Sequence, residues 1–350
     1  MRLTATIRAT PEDFVVDEIP SYEPSGAGAH VYVHFRKRDR DTMQAVRELA
    51  KKLGVRDRDA GTAGLKDRRA VTTQWASFPL SERAPLPTLD ALRCDGIEPL
   101  AIARHGNKLK TGHLRGNRFS LVLRDVPDGR EQELVDALAT IGREGLANRF
   151  GAQRFGRHGD NAERAIAFLT GREAPPREPK IRRLLFSALQ SKLFHAVLDA
   201  RIAEGTWNHL LPGDLVGTTG GPKVFPCEDP AALADRLRAG EVTPTGPIFG
   251  AKMPRPSGRP GEIERAALAD LPDAEALFER WSTLGEGARR PLILRPGALF
   301  AAQIQQNRVR VAFVLPKGSY ATSVIDAVCE ARESRGEEAP QRAAEEDSEP

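Results

Sequence analysis

The run AHVYVHFRKR (29–38) alternates apolar and polar residues with a period of two. A segment patterned this way buries one face only as a strand within a sheet. Val31, Val33 and Phe35 share one side. His30, Tyr32 and His34 share the other, read as a partly exposed sheet face. LTATIRA and FVVDEI, upstream, read as strands too, and AVTTQWASF follows as a β-branched and aromatic strand. IEPLAIARHGNKLKTGHLRGNRFSLVLRDV reads as strand, basic loop, strand. Two amphipathic helices interrupt this pattern. DTMQAVRELAKKLG places Met43, Val46, Leu49, Ala50 and Leu53 on one stripe, with Asp41 or Thr42 as cap and Gly54 as stop. EQELVDALATIGREG is the second. Hairpins with few crossover helices predict an α+β fold over the first 145 or so residues, not regular βαβ alternation.

The pattern then changes. ANRFGAQRFGRHGDNAERA is rich in Gly, Arg and Asn, and IRRLLFSALQSKLFHAVLDARIAEG is a strong helix. Leu185, Leu189, Leu193, Val197 and Ile202 recur along it at near-helical intervals. Pro and Gly multiply through 212–262, predicting short strands and long loops. Strand-like sequence returns near residue 290 with PLILRP and RVRVAFVLPKGSYATSVIDAVCE. From about Ala331 the chain is polar and acidic and is expected to be disordered.

At 350 residues, two domains are the natural expectation. The formal net charge of +4 understates the basic character. The last twenty residues hold seven acidic and three basic side chains, leaving 49 Lys and Arg against 41 Asp and Glu in the body. That balance points toward a polyanionic partner. Cys94, Cys227 and Cys329 lie far apart with no CxxC pair, against a disulfide framework or zinc ribbon and in keeping with a reducing, cytoplasmic setting. His30 and His34 lack a nearby third ligand, so no metal is expected. No apolar run approaches a membrane span, and no signal peptide is apparent at the start.

Four stretches carry candidate chemistry. GLKDRRAVTTQW (64–75) sets Asp67 between Lys66 and Arg68–Arg69. Alone, such a carboxylate caps a turn or pairs with its neighbours. GNRF (116–119) puts Asn117 and Phe119 at a strand start behind a loop offering Lys108, Lys110, Arg115 and Arg118, with His105 and His113. That combination suits phosphates beside a stacked, unpaired base. PEDFVVDE (11–18) sets Phe14 among carboxylates. RFGAQRFGRHGDN (149–161) packs Arg154 and Arg157 among glycines that let backbone approach a ligand. GxGxxG and GxxxxGK[ST] are both absent, so neither NAD nor ATP is indicated.

These stretches, in this order, together with TGPIFG, LILRP and LPKGSYATSV, resemble the TruD family of tRNA pseudouridine synthases from about residue 8 to about residue 329. The resemblance implies isomerisation of a tRNA uridine, typically the one at position 13, to pseudouridine, without cofactor or metal. It implies Asp67 as the essential carboxylate. Phe119 would be the aromatic under the base, with Asn117 beside it and Phe14 in the site wall. Arg8 stands where the family often has lysine. Lys66 joins these as a substrate-side cation. Lys108, Lys110, Arg115, Arg154 and Arg157 would grip RNA, and Lys180, Arg182 and Arg183 are further candidates. Residues 1–145 with 290–330 would form a catalytic domain with a mixed, mainly antiparallel sheet flanked by helices. Residues 146–289 would form an inserted α/β domain. A monomer with no obligate protein partner is expected.

Asp67 could attack C1′, attack C6, or remove the C2′ proton. No second carboxylate in these motifs is essential to the family, which argues for isomerisation over the paired-carboxylate chemistry of glycosidases. The alternatives are a non-catalytic RNA-binding protein on the same scaffold and a nucleoside hydrolase.

Overall fold

In a computed structural model describing residues 2–219, 221 and 223–334, the alternating run is strand β3 (His30–Arg38). Val31, Val33 and Phe35 are buried against Ala45, Val46, Leu49 and Ala50 of helix α1 (Thr42–Lys52). Asp41 caps α1, its carboxylate accepting from the amides of Met43 (2.7 Å) and Gln44 (3.3 Å). Met43, expected on the buried stripe, is exposed, and Ala45 is buried instead. At 100° per residue Met43 falls at the stripe's edge, in the first turn. Tyr32 is also buried. Its hydroxyl donates to Asn107 O at 3.0 Å, so the second face of β3 is less open than expected.

The described residues divide into two compact units, the first comprising residues 2–139, 297–321 and 328–334, the second Thr140–Pro296 and Thr322–Ala327. The first is built on an eight-stranded sheet. Besides β3 it contains β2 (Phe14–Pro20), β4 (Gly61–Thr62), β5 (Val71–Pro79), β6 (Ile97–His105) and β7 (Leu114–Leu123). The order is Gly297–Gln305, Arg308–Pro316, β7, β2, β5, β3, β6, with β4 on β5. Every pairing is antiparallel except β2 with β5. Strand β1 (Leu3–Ile7) pairs in parallel with Cys329–Glu333 in a separate two-stranded sheet.

The second unit is organised on the helix Pro179–Ala203. Leu185, Leu189 and Leu193 bury against Ala165, Phe168 and Leu169 of Asn161–Leu169. Ile202 is exposed, because a five-residue step from Val197 rotates it about 140° off the stripe. The inward position is taken by Arg201, which forms a buried ion pair with Asp214 at 2.8 Å. An antiparallel sheet of Val224–Pro226, Leu215–Thr218, Val242–Ile248 and Ala288–Pro291 completes the unit, and Ile293–Leu294 pairs with Leu146–Ala147.

The class is α+β, as the sequence predicts. Two segments differ from expectation. ATSVIDAV, read as strand, is the helix Ala321–Val328, with Ala321, Val324 and Ile325 buried at helical spacing. The disordered tail was expected from Ala331, yet residues 331–333 belong to the last strand, whose backbone groups are satisfied by β1. Residues 335–350 lie outside the described residues.

Candidate active site

Register sets the site's floor. Val16 lies opposite Phe119 and Glu18 opposite Asn117, while Phe119 faces Phe313 across the other neighbour of β7. With a period of two, Phe14, Val16, Glu18, Asn117, Phe119 and Phe313 therefore share one face. Phe14 meets Phe119 edge-on at 6.3 Å, and Phe119 lies 5.5 Å from Phe313. Phe119 is 5% exposed, a wall ring held by its neighbours. Gly116, which opens GNRF, is required there: a Cβ would stand 2.2 Å from Leu315 O on the adjacent strand. Asn117 Oδ1 is buried with no hydrogen-bond partner.

Asp67 lies on the loop between β4 and β5, and the main chain around it is pinned. Lys66 N donates to Thr42 Oγ1 at 3.0 Å, and Gln74 Nε2 to Gly64 O at 3.3 Å. Lys66 Nζ is buried and paired with Glu18 at 2.7 Å. Its charge is thus taken up beneath the loop, where it holds Asp67's neighbour in place. Lys37 Nζ donates to Asp67 O at 2.7 Å. Burial pushes the Lys37 ammonium down to about 8, against the opposing pull of Asp67, Asp41 and Asp39. Arg69 donates to Arg8 O at 3.3 Å and to Ser334 O at 2.7 Å. Against this fixed backbone, the Asp67 side chain is 53% exposed.

The cation at that carboxylate is Arg8, with Nη2 3.3 Å from Oδ1. The basic neighbours Lys66 and Arg69 are engaged elsewhere. Arg8 lies over Phe14 with its guanidinium carbon 4.0 Å from the ring centroid, a cation–π contact. It also pairs with Glu333. Asp67, Arg8, Phe14 and Phe119 therefore form one contiguous chain of contacts, with Asn117, Glu18 and Lys66 on the same sheet face or under the same loop.

The other candidates are carried by other segments. Lys108 is half-buried and Lys110 exposed on the β6–β7 loop. Arg115 is exposed on β7, donating to Ser21 O at 3.5 Å. Arg154 and Arg157 belong to the second unit. Arg154 donates to Ser191 Oγ at 3.2 Å and stands 5.2 Å over Phe150, and Arg157 is exposed. There His195 Nε2 accepts from Phe150 N at 2.8 Å. Burial, reinforced by Arg149, pushes its imidazole down to about 4. His34 stacks on Trp75 at 4.9 Å. Among the described residues no group of three or more His, Cys, Asp or Glu is placed to hold a metal ion, and no helix is long and apolar enough to cross a membrane.

Sequence reasoning missed Lys37, Glu18, Phe313 and Glu333. The first two carry a signal. Lys37 occupies the next inward position after Val31, Val33 and Phe35, and Glu18 the next after Phe14 and Val16. A charge on the apolar phase of a strand is a charge with a buried partner.

The chain as a whole is similar to proteins of one family. Residues 2–173 and 159–328 match the family described as tRNA pseudouridine synthase D (TruD). A tRNA pseudouridine synthase D of Anaeromyxobacter dehalogenans is 45% identical over 91% of both chains, and one of Xanthomonas campestris is 40% identical over 96% of both. The crystal structure of a Methanosarcina mazei protein, solved as a candidate TruD, superposes with a TM-score of 0.75 over 94% of both chains at 24% identity, a likeness of fold. The motifs in order, the α+β scaffold and these relatives lead to one conclusion: the chain belongs to the TruD family of tRNA pseudouridine synthases.

Proposed function

We propose that this chain isomerises a tRNA uridine, the one at position 13, to pseudouridine, with Asp67 as the reacting carboxylate. One observation carries the reading. The Asp67 carboxylate stands half-exposed on a pinned loop and connects through Arg8 to the Phe14–Phe119 wall. A fixed backbone under an accessible oxygen is what positional catalysis requires. In the reaction the N1–C1′ bond breaks, the uracil turns, and C5 joins C1′. C5 gives up its proton to solvent and N1 gains one, so product and substrate are isomers. The target nucleotide must first leave its stack, at a cost of a few kcal/mol. The hydroxyl-free Phe14 and Phe119 rings form an apolar wall that does not tether the detached base. The unpartnered Asn117 Oδ1 is an acceptor suited to an N–H of the uracil. Lys108, Lys110 and Arg115, with Arg154 and Arg157 on the second unit, are the phosphate contacts.

The test is tritium release from tRNA carrying 5-tritiated uridine. Release by the wild type and none by Asp67→Asn is expected. Tight tRNA binding with no release by the wild type would favour a binding protein, and free uracil would favour a hydrolase.

A further inference from the structure

Arg8 serves two carboxylates. Its guanidinium lies 3.3 Å from Asp67 and also pairs with Glu333, while its own side chain is only 12% exposed. Glu333 arrives from the far end of the chain. The strand Cys329–Glu333 lies parallel to β1 in the register Leu3↔Cys329 to Ile7↔Glu333, and Ser334 N donates to Ile7 O at 3.3 Å. Cys329, Leu3, Ala5 and Ile7 are buried, which fixes that register. Immediately after β1, Arg8 adopts φ +55°, a left-handed conformation unusual for a residue with a side chain. Arg69 spans the join, donating to Arg8 O and to Ser334 O. The match to the family ends at residue 328, and the strand that supplies Glu333 begins at 329.

A nearly buried guanidinium left without an anion is strongly unfavourable. If Asp67 were Arg8's sole counter-ion, engaging the substrate would require breaking that pair and stranding the cation. We infer that Glu333 is a positioning residue for Asp67. It is the permanent counter-ion of Arg8, keeping the guanidinium over Phe14 and neutralised while the Asp67 carboxylate turns to the substrate. The inference rests on the reading of Asp67 as the reacting group.

The experiment is single-turnover tritium release, with tRNA affinity measured in parallel, for Glu333→Ala, Glu333→Asp, Arg8→Met and the Arg8→Met/Glu333→Ala double variant. For Glu333→Ala the expected result is a rate about tenfold lower, with tRNA affinity within about twofold of the wild type. Glu333→Asp should recover much of the rate. In the Arg8→Met background the Glu333→Ala change should cost nothing further, because its effect passes through Arg8. A full additional loss in that background would assign Glu333 to strand anchoring alone and overturn the inference. So would a Glu333→Ala enzyme with wild-type rate. Thermal melts of each variant separate a misfolded protein from a slow one, and Glu333→Asp, which keeps the charge, carries the test if Glu333→Ala does not fold. If the wild type itself releases no tritium, the underlying assignment of Asp67 fails instead, and the two failures are distinct.

Discussion

At the scale of single residues, charge on an apolar phase marks this site. Lys37 is fully buried, and its ammonium takes a backbone carbonyl where a carboxylate would be expected. Its acid constant is pushed down from 10.5 to about 8 in the fold. Between those values the unfolded chain binds a proton that the native state does not, so this group makes stability rise as pH increases from about 8 to 10.5. Urea titrations should show wild-type stability rising across that window relative to Lys37→Met, by on the order of 2 kcal/mol after allowance for solvent screening. A difference that stays flat with pH would mean that burial does not lower the acid constant, the ammonium keeping its proton up to about 10.5 as it does in the unfolded chain. This residue was legible in principle from the alternation of 31, 33, 35 and 37. The partner of Asp67 was not. The neighbouring cations Lys66, Arg68 and Arg69 suggest themselves, but a loop turns successive side chains in different directions, and the contact comes from Arg8.

At the scale of elements, period proved the more reliable guide and local composition the less. The helix Pro179–Ala203 and strands β3, β6 and β7 follow from spacing alone. ATSVIDAV misleads because its β-branched residues favour strand locally, while its burial at 321, 324 and 325 obeys a helical step. The attachment of residues 148–155 to the long helix was also not legible, because its contacts are with side chains far along the chain: His195 Nε2 takes the Phe150 amide, Arg154 donates to Ser191 and Arg149 pairs with Asp199. That imidazole must be neutral to accept, and its acid constant is lowered from 6.5 to about 4. Unfolding therefore takes up a proton in that range, and the stability contributed is lost as pH falls from about 6.5 to 4. His195→Gln should flatten the pH dependence of the second unit's stability by on the order of 2 kcal/mol over that interval, read by hydrogen exchange of the 148–155 amides. An unchanged acid profile in the variant would rule this contact out as the cause.

At the scale of the whole molecule, the α+β class and the family were both legible, the first from patterning and the second from the order of several short motifs. The short terminal strand 329–333 was not, since a polar segment acquires strand structure only from its partner β1. The basic body predicts salt-dependent association with RNA. Replacing Lys108, Lys110 and Arg115 together by Ala should weaken tRNA binding and reduce the slope of log affinity against log salt by about 2. An unchanged slope would place the RNA on other cations. The sheet that carries Phe14 and Phe119 is completed by Gly297–Gln305 and Arg308–Pro316, and β1 by Cys329–Glu333. A chain emerging from the ribosome, at roughly 5–20 residues per second, therefore exposes the Asp67 loop many seconds before the strands that finish its surroundings exist. Until then the 114–123 strand presents an unpaired edge, and Arg8 has no Glu333. A nascent chain stalled before Arg308–Pro316 should be unable to modify RNA, and one stalled before Cys329–Glu333 should modify it only slowly, so full activity belongs to finished molecules.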